Sequence, residues 1–370
     1  MRPILSLLAF IVFVAACETA PAPAEPRAVP KVNVQEPSGE TALTRILFGS
    51  CLKQEDPMPI LSTMIERAPD LTVLLGDNVY GDVEDPSDPA ANELRDAYQA
   101  LAERPEFQRL VASSPLLTTW DDHDYGLNDA GGELPIKAST EHIFEEFWNL
   151  GPDDERRNRP GIYTAKTYGP AGQRVQIILL DTRFFRSALT RKPEGDTRPG
   201  RYLPSEDANQ TMLGAEQEAW LAEALSEPAD LRILVSSIQV IADGHGWEAW
   251  RTTPDARSRL YETIMSSGAD NLVVVSGDRH LAGIYQEPIG LAAPLSELTT
   301  SSLNAPQSAW RRERGDTSIE PGPKRLGTPY FEANFGEILV DWENETLTMS
   351  VISEAGEPVR ELQVPFGEQN

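Results

Sequence analysis

Three observations in this chain predict an α/β fold. Short apolar runs recur at 45–51, 71–75, 175–180, 232–235 and 271–275, each ending in small or polar residues. Unbroken runs of this length read as strands covered on both faces. Helix-length stretches separate them, at 57–68, 90–102, 139–150, 215–225 and 255–265, and such alternation marks α/β domains. Finally, Cys, Asp and His stand directly after several runs, where open α/β sheets place their ligands, beyond the carboxyl ends of the strands.

In chain order the N-terminus comes first. Met1 and Arg2 precede an apolar stretch that closes in Val14-Ala15-Ala16-Cys17. A basic start, a short apolar core and small residues at its end describe a secretory signal, too short for a membrane span. The ending resembles a bacterial lipobox. Residues 1–17 are therefore expected to be a lipoprotein signal peptide, Cys17 the lipidated residue, and the protein exported and anchored to a bacterial membrane. Residues 18–42 are rich in Pro, Ala and Glu and lack aromatics, which predicts a disordered tether. The folded domain is expected over 43–370.

The run at 45–51 closes in FGSC, and the run at 71–75 leads into Gly76-Asp77-Asn78. The stretch 118–129, TTWDDHDYGLND, follows the apolar 115–117, and 271–275 leads into SGDRH. The helices at 215–225 and 255–265 open with Glu and Asp, where the macrodipole favours negative charge. Beyond Gly283 the texture changes. Segments 296–302, 336–342 and 347–353 alternate apolar with polar residues, which predicts strands with one wet face. Asn344-Glu345 falls where a hairpin turn would join the last two. Residues 304–329, rich in Arg, Pro and Gly and without periodicity, read as a long loop over the site.

Acidic residues outnumber basic ones, 58 to 32, for a net charge of −26. That excess argues against nucleic acid as a partner, because phosphate-backbone binding needs basic surface. It suits a soluble extracytoplasmic protein or one that captures cations, and acidity that serves solubility alone is the competing reading. Four Asp, an Asn and a His share the dozen residues 118–129, and carboxylates so clustered repel one another wherever they lose hydration. Bound cations would neutralise them. Strand ends bearing Cys51, Asp77, Asp121-Asp122-His123 and Asp278-Arg279-His280 would converge on such a centre. The chain has four His, so imidazole cannot dominate it. Carboxylate oxygens suit calcium, magnesium or manganese, and a phenolate such as Tyr80 serves iron in some proteins. Iron with calcium is chemically sensible, although ligand type alone does not separate it from zinc or manganese. If Cys17 carries lipid, Cys51 has no disulfide partner and is either a buried thiol or a metal ligand. His123, between Asp122 and Asp124, is the candidate for protonating a leaving oxygen. Arg183 and Arg279 are candidate phosphate clamps. His245 reads as a loop residue, His142 as a packing residue, and Arg311 to Arg314 as a solvated loop.

Taken together and in order, FGSC (48–51), GDNVY (76–80), WDDHD (120–124) and SGDRH (276–280) resemble the alkaline phosphatase D, or PhoD-like, family of metallophosphatases. LLDTRFFR (179–186), SSIQV (236–240) and NFGEILVDW (334–342) agree with it. The resemblance runs from about residue 43 to the C-terminus. It implies a metallophosphoesterase-type four-layer α/β/β/α sandwich of two mixed β-sheets, with an Fe3+ and Ca2+ centre that hydrolyses phosphomonoesters or phosphodiesters. Carried onto these positions, Asp77 would bridge the metals and Cys51 and Tyr80 would bind the ferric ion. Asp122, Asp278 and His280 would complete the centre, with Asp121 and Asn128 as further ligand candidates. Longer relatives carry an extra N-terminal β-domain and a twin-arginine signal. The short tether and single Arg here imply export in unfolded form, with metal loaded afterwards. Competing expectations are a phospholipase-like or wall-polymer phosphodiesterase, which a membrane tether would favour, and a non-catalytic calcium-binding surface protein, which would not need Cys51 plus Tyr80.

Overall fold

The computed structural model describes residues 25–367; the signal sequence and Cys17 lie outside them. One sheet is built from β1 (Arg45–Gly49), β2 (Leu71–Leu74), β3 (Leu116–Thr118), β11 (Asn334–Asp341), β12 (Thr346–Ser353) and β13 (Pro358–Pro365). Its order is β13-β12-β11-β1-β2-β3, with β1, β2 and β3 parallel and β11 antiparallel to β1. The second sheet holds β4 (Thr164–Tyr168), β5 (Val175–Leu179), β6 (Leu231–Ser236), β7 (Leu272–Ser276), β8 (Ala282–Glu287), β9 (Leu295–Thr300) and β10 (Arg325–Tyr330). Its order is β10-β8-β9-β7-β6-β5-β4, with β5, β6, β7 and β9 parallel.

The period of two along each strand divides the core. Ile46, Phe48 and Val73 of the first sheet share one buried cluster with Ile177, Val235 and Val275 of the second. The alternate residues face outward onto helices. Leu47, Leu74 and Leu116 meet α1 (Ile60–Glu66), α2 (Asn92–Ala102), α3 (Pro105–Ser113) and α5 (Lys137–Phe147). Ile178, Leu234 and Val274 meet α6 (Gly214–Ser226) and α7 (Pro254–Ser267). The result is the four-layer α/β/β/α sandwich. Two further helices, α4 (Asp122–Tyr125) and α8 (Gln307–Arg314), stand by the strand ends.

Three expectations need correction. The alternation at 296–302 predicts a wet face, yet β9 is buried along its whole length between β7 and β8. Its polar side chains are internal because they have partners: Glu297 accepts N–H from Val240 at 2.8 Å and Ile241 at 2.6 Å, and O–H from Ser276 at 2.6 Å. Residues 304–329 are not one loop, since they hold α8 and the start of β10. The supposed tether has no helix or strand from residue 25 onward, but much of it is docked. Val29, Val32 and Val34 pack against the core, Val32 donates N–H to Phe147 O at 2.7 Å, and Leu116 donates N–H to Gln35 O at 2.7 Å. Glu36 then accepts from Tyr168 Oη at 3.0 Å, and Gly39 O accepts from Gly169 N–H at 2.8 Å.

Candidate metal centre

Four strands deliver the site, three from the first sheet and one from the second. Each of β1, β2, β3 and β7 stops and turns sharply, and the turns carry Cys51, Asp77, Asp121 to His123, and Asp278 to His280. Gly76 permits one of these turns: its φ is +103°, and a Cβ there would lie 2.5 Å from the backbone nitrogen of Asp121. Among the described residues ten non-glycine positions have positive φ, and five are Cys51, Asp77, Asp129, Asp278 and His280. Backbone of this kind costs about 1–3 kcal/mol per residue and persists where surrounding structure enforces it. Here backbone contacts do so: Leu52 N–H reaches Asp77 O at 2.8 Å, Gly277 N–H reaches Ser237 O at 2.9 Å, and Leu303 N–H reaches Ser50 O at 2.9 Å.

Asp77 occupies the middle. Its Oδ2 lies 3.4 Å from Cys51 Sγ and 3.3 Å from Tyr80 Oη, while its Oδ1 faces the His123 backbone N–H at 3.4 Å. Two donor groups with ligand atoms within 4.8 Å of one another thus meet at this residue, Cys51–Asp77–His280 and Asp77–Asp122–His123. Tyr80 Oη is also 3.3 Å from His280 Nε2. On the other side of that ring, Nδ1–H donates to Ala305 O. This leaves the Nε2 lone pair toward the group, the orientation a metal-ligating imidazole takes. Burial pushes the His280 pKa down to about 4, so the ring is neutral, as a ligand must be.

A second pair of groups, Asp121–Asp122–Asp278 and Asp122–Asp129–Glu248, adjoins the first. Asp121 is buried, and its Oδ1 accepts from Arg183 Nε at 2.7 Å and Ser237 Oγ at 2.6 Å, while its Oδ2 has no partner. Burial raises the Asp121 pKa to about 7 despite Arg183. Burial, with Asp122 and Asp121 respectively, also pushes Asp77 and Asp278 well above the carboxylate range. An orphaned buried oxygen, crowded carboxylates, one thiol, one phenol and a neutral imidazole fit cations held among them.

The sequence candidates divide as follows. Cys51, Asp77, Tyr80, Asp121, Asp122, His123, Asp278 and His280 come together. Asn128 lines the adjoining cavity and is exposed. Arg279 lines the cavity and pairs with Glu320 at 2.8 Å. Arg183 does not suit the clamp expected of it. It is fully buried and spends its guanidinium on Asp121, Glu248 and Ala130 O. Arg311 and Arg314 lie on α8 and line the cavity, contrary to the solvated loop expected. His245 is buried beside a separate, smaller pocket with its Nε2 unpartnered, and His142 is an exposed helix residue paired with Glu145 at 3.2 Å. Sequence reading missed Asp82, Asp129 and Glu248. Asp129 closes the acidic stretch already noted, and Glu248 follows His245 and Trp247 by a few positions. Asp82 Oδ2 is 2.8 Å from His123 Nδ1.

His123 is mostly buried, and its ring centroid lies 4.2 Å from that of Tyr80. Burial favours its neutral form, but Asp122, Asp77 and Asp82 outweigh burial and hold its pKa above the ordinary value.

A sandwich of two mixed sheets with acids, a thiol and imidazoles at its strand ends defines a metallophosphoesterase-type fold. The family model of PhoD-like phosphatases matches residues 46–351, and the chain belongs to that family. It is 29% identical to alkaline phosphatase D of Bacillus subtilis (strain 168) over 196 residues, which is 46% of this chain and 31% of that protein. The matched region thus spans under a third of that curated relative's length. A solved structure described as PhoD superposes with a TM-score of 0.65 at 18% identity, covering 90% of this chain and 70% of that one. Another, GAP50, described as the anchor in the inner membrane complex of Plasmodium, gives 0.52 at 12% identity and covers 89% and 90%. At those identities the likeness is one of fold. No helix among the described residues is long and apolar enough to cross a membrane.

Proposed function

We propose that the chain is a metal-dependent phosphoric ester hydrolase, exported and held to a membrane by lipid at Cys17. The observation that carries the enzymatic reading is the position of Asp77 between two donor groups that differ in chemistry. Cys51, Tyr80 and His280 would hold an iron, and Asp122, Asp121 and Asp278 a calcium, with Asp77 shared. The thiol and phenol suit the softer, higher-valent ion and the carboxylates the hard one. When bound, such cations neutralise the carboxylates and draw charge from phosphoryl oxygens as the ester bond breaks.

The protein's own groups do the rest. Water adds to phosphorus, the bond to the leaving oxygen breaks, and His123 supplies that oxygen's proton, to be replaced by one from the incoming water. Asp82 fixes the His123 ring through Nδ1, which leaves Nε2 as the working atom. Arg183 keeps Asp121 and Glu248 in place from behind, and Arg279 in the cavity wall offers positive charge to the phosphate.

Purified protein should hydrolyse a chromogenic phosphoester and lose that activity on chelation, with iron and calcium found by elemental analysis. His123→Ala should lower turnover far more than it lowers metal content. Equal losses would make His123 a ligand, and calcium alone with no turnover would favour a binding protein that shares the fold.

A further inference from the structure

The cavity at the centre has a volume of about 710 Å3, within the range of sites that enclose drug-sized organic ligands, roughly 300–1,000 Å3. Asp77, Asp122, Asp278 and His280 line it, and so do residues of a different character. Five large hydrophobic side chains are exposed among the described residues: Trp247, Met265, Trp310, Ile319 and Leu326. Three of them, Trp247, Trp310 and Ile319, line this cavity. Apolar surface gathered beside a polar site usually marks a ligand contact.

Cations accompany the indoles. Arg201 lies 5.6 Å from the Trp247 ring centroid and Arg314 lies 5.1 Å from that of Trp310. Arg279 and Arg311 line the same cavity, paired with Glu320 at 2.8 Å and Asp316 at 3.2 Å. Arg201 meets only Asp129, at 3.4 Å, and Arg314 is exposed beside Trp310. A stacking surface with guanidinium at its side recognises a flat ring that also bears an anion.

We propose that this wall is a subsite for the second ester group of a phosphodiester, selective for a flat aromatic ring carrying a negative charge. The proposal rests on the phosphoesterase reading and names the substrate class that site would prefer. In the reaction, the oxygen of water forms a bond to phosphorus and the bond to the leaving group breaks. The second ester group remains on phosphorus, lying against Trp247 and Trp310.

The test uses three p-nitrophenyl phosphodiesters whose second ester group is methyl, phenyl or 4-carboxyphenyl, so that the same P–O bond breaks in each. With metal-loaded full-length protein, kcat/KM should favour phenyl over methyl by about tenfold, the scale of a well-placed aromatic contact. Trp247→Ala and Trp310→Ala should each move that ratio toward one, while Trp310→Phe keeps most of it. The carboxylate should add a further gain, about fivefold, that Arg314→Ala removes. Ratios that the variants leave unchanged, or a parent indifferent to the second group, overturn the subsite and leave the phosphoesterase reading standing. No turnover of the three while p-nitrophenyl phosphate is hydrolysed overturns the subsite alone, and no turnover of that monoester either overturns both.

Discussion

His123 holds its Nδ1 2.8 Å from Asp82, and that contact sets which nitrogen faces the cavity. Asp82→Asn keeps the size and removes the charge. Steady-state turnover on a chromogenic phosphoester should fall about 10- to 100-fold, with metal content as in the parent; a loss of metal would assign Asp82 to the centre itself. Arg183 is a different case. Its guanidinium is buried against Asp121 and Glu248, and Arg183→Met would leave buried Asp121 without a cation and Glu248 with Arg186 alone, at a cost of about 3–5 kcal/mol. A denaturant titration reads this directly, and a midpoint within error of the parent would contradict it. The sequence showed that Arg183 follows a strand run, but not which way its side chain turns. The metal-ligand candidates were more legible because Cys51 closes an apolar run and Asp77, Tyr80, Asp121, Asp122, Asp278 and His280 sit two to five residues past one, a position that fixes location whatever the rotamer.

At the scale of elements, the site depends on strands that end abruptly. Gly76→Ala places a Cβ against the Asp121 backbone in a left-handed conformation. We expect a destabilisation of about 2 kcal/mol or more, with weaker metal retention because β2 and the 121–123 turn would separate. Thermal melts with and without chelator would show both effects, and an unchanged melt would show that the turn relaxes freely. The long helices and the apolar strands β5, β6 and β7 were visible as periodic or continuous patterns. By contrast β3 has three residues and α4 has four, too few to complete a pattern. β9 misled because its polar residues mimic a wet face while Glu297 ties down the backbone of a neighbouring loop.

For the molecule as a whole, the α/β class could be read from alternation, but the two-sheet arrangement came only with the resemblance. Strand order rests on pairings such as Arg45 with Leu339, and no local pattern encodes partners so far apart. Stability should depend on pH through Glu141, whose pKa burial raises to about 8 while Gly161 N–H donates to it. The folded value lies above the unfolded one, about 4.3. The stabilising contribution is therefore complete below the unfolded value and is lost as pH rises through the folded one. Glu141→Gln should flatten the decline in Tm between about pH 5 and 8, and equal slopes in parent and variant would exclude Glu141 as the source. The docked segment before β1 has its own consequence. Gln35 meets β3 and Glu36 meets Tyr168 of β4, so a single strip of chain buckles the open rims of both sheets together. Shaving it off by protease would uncover the unpaired rim of β3, a template for self-association, and the trimmed protein should aggregate before it loses its catalytic centre.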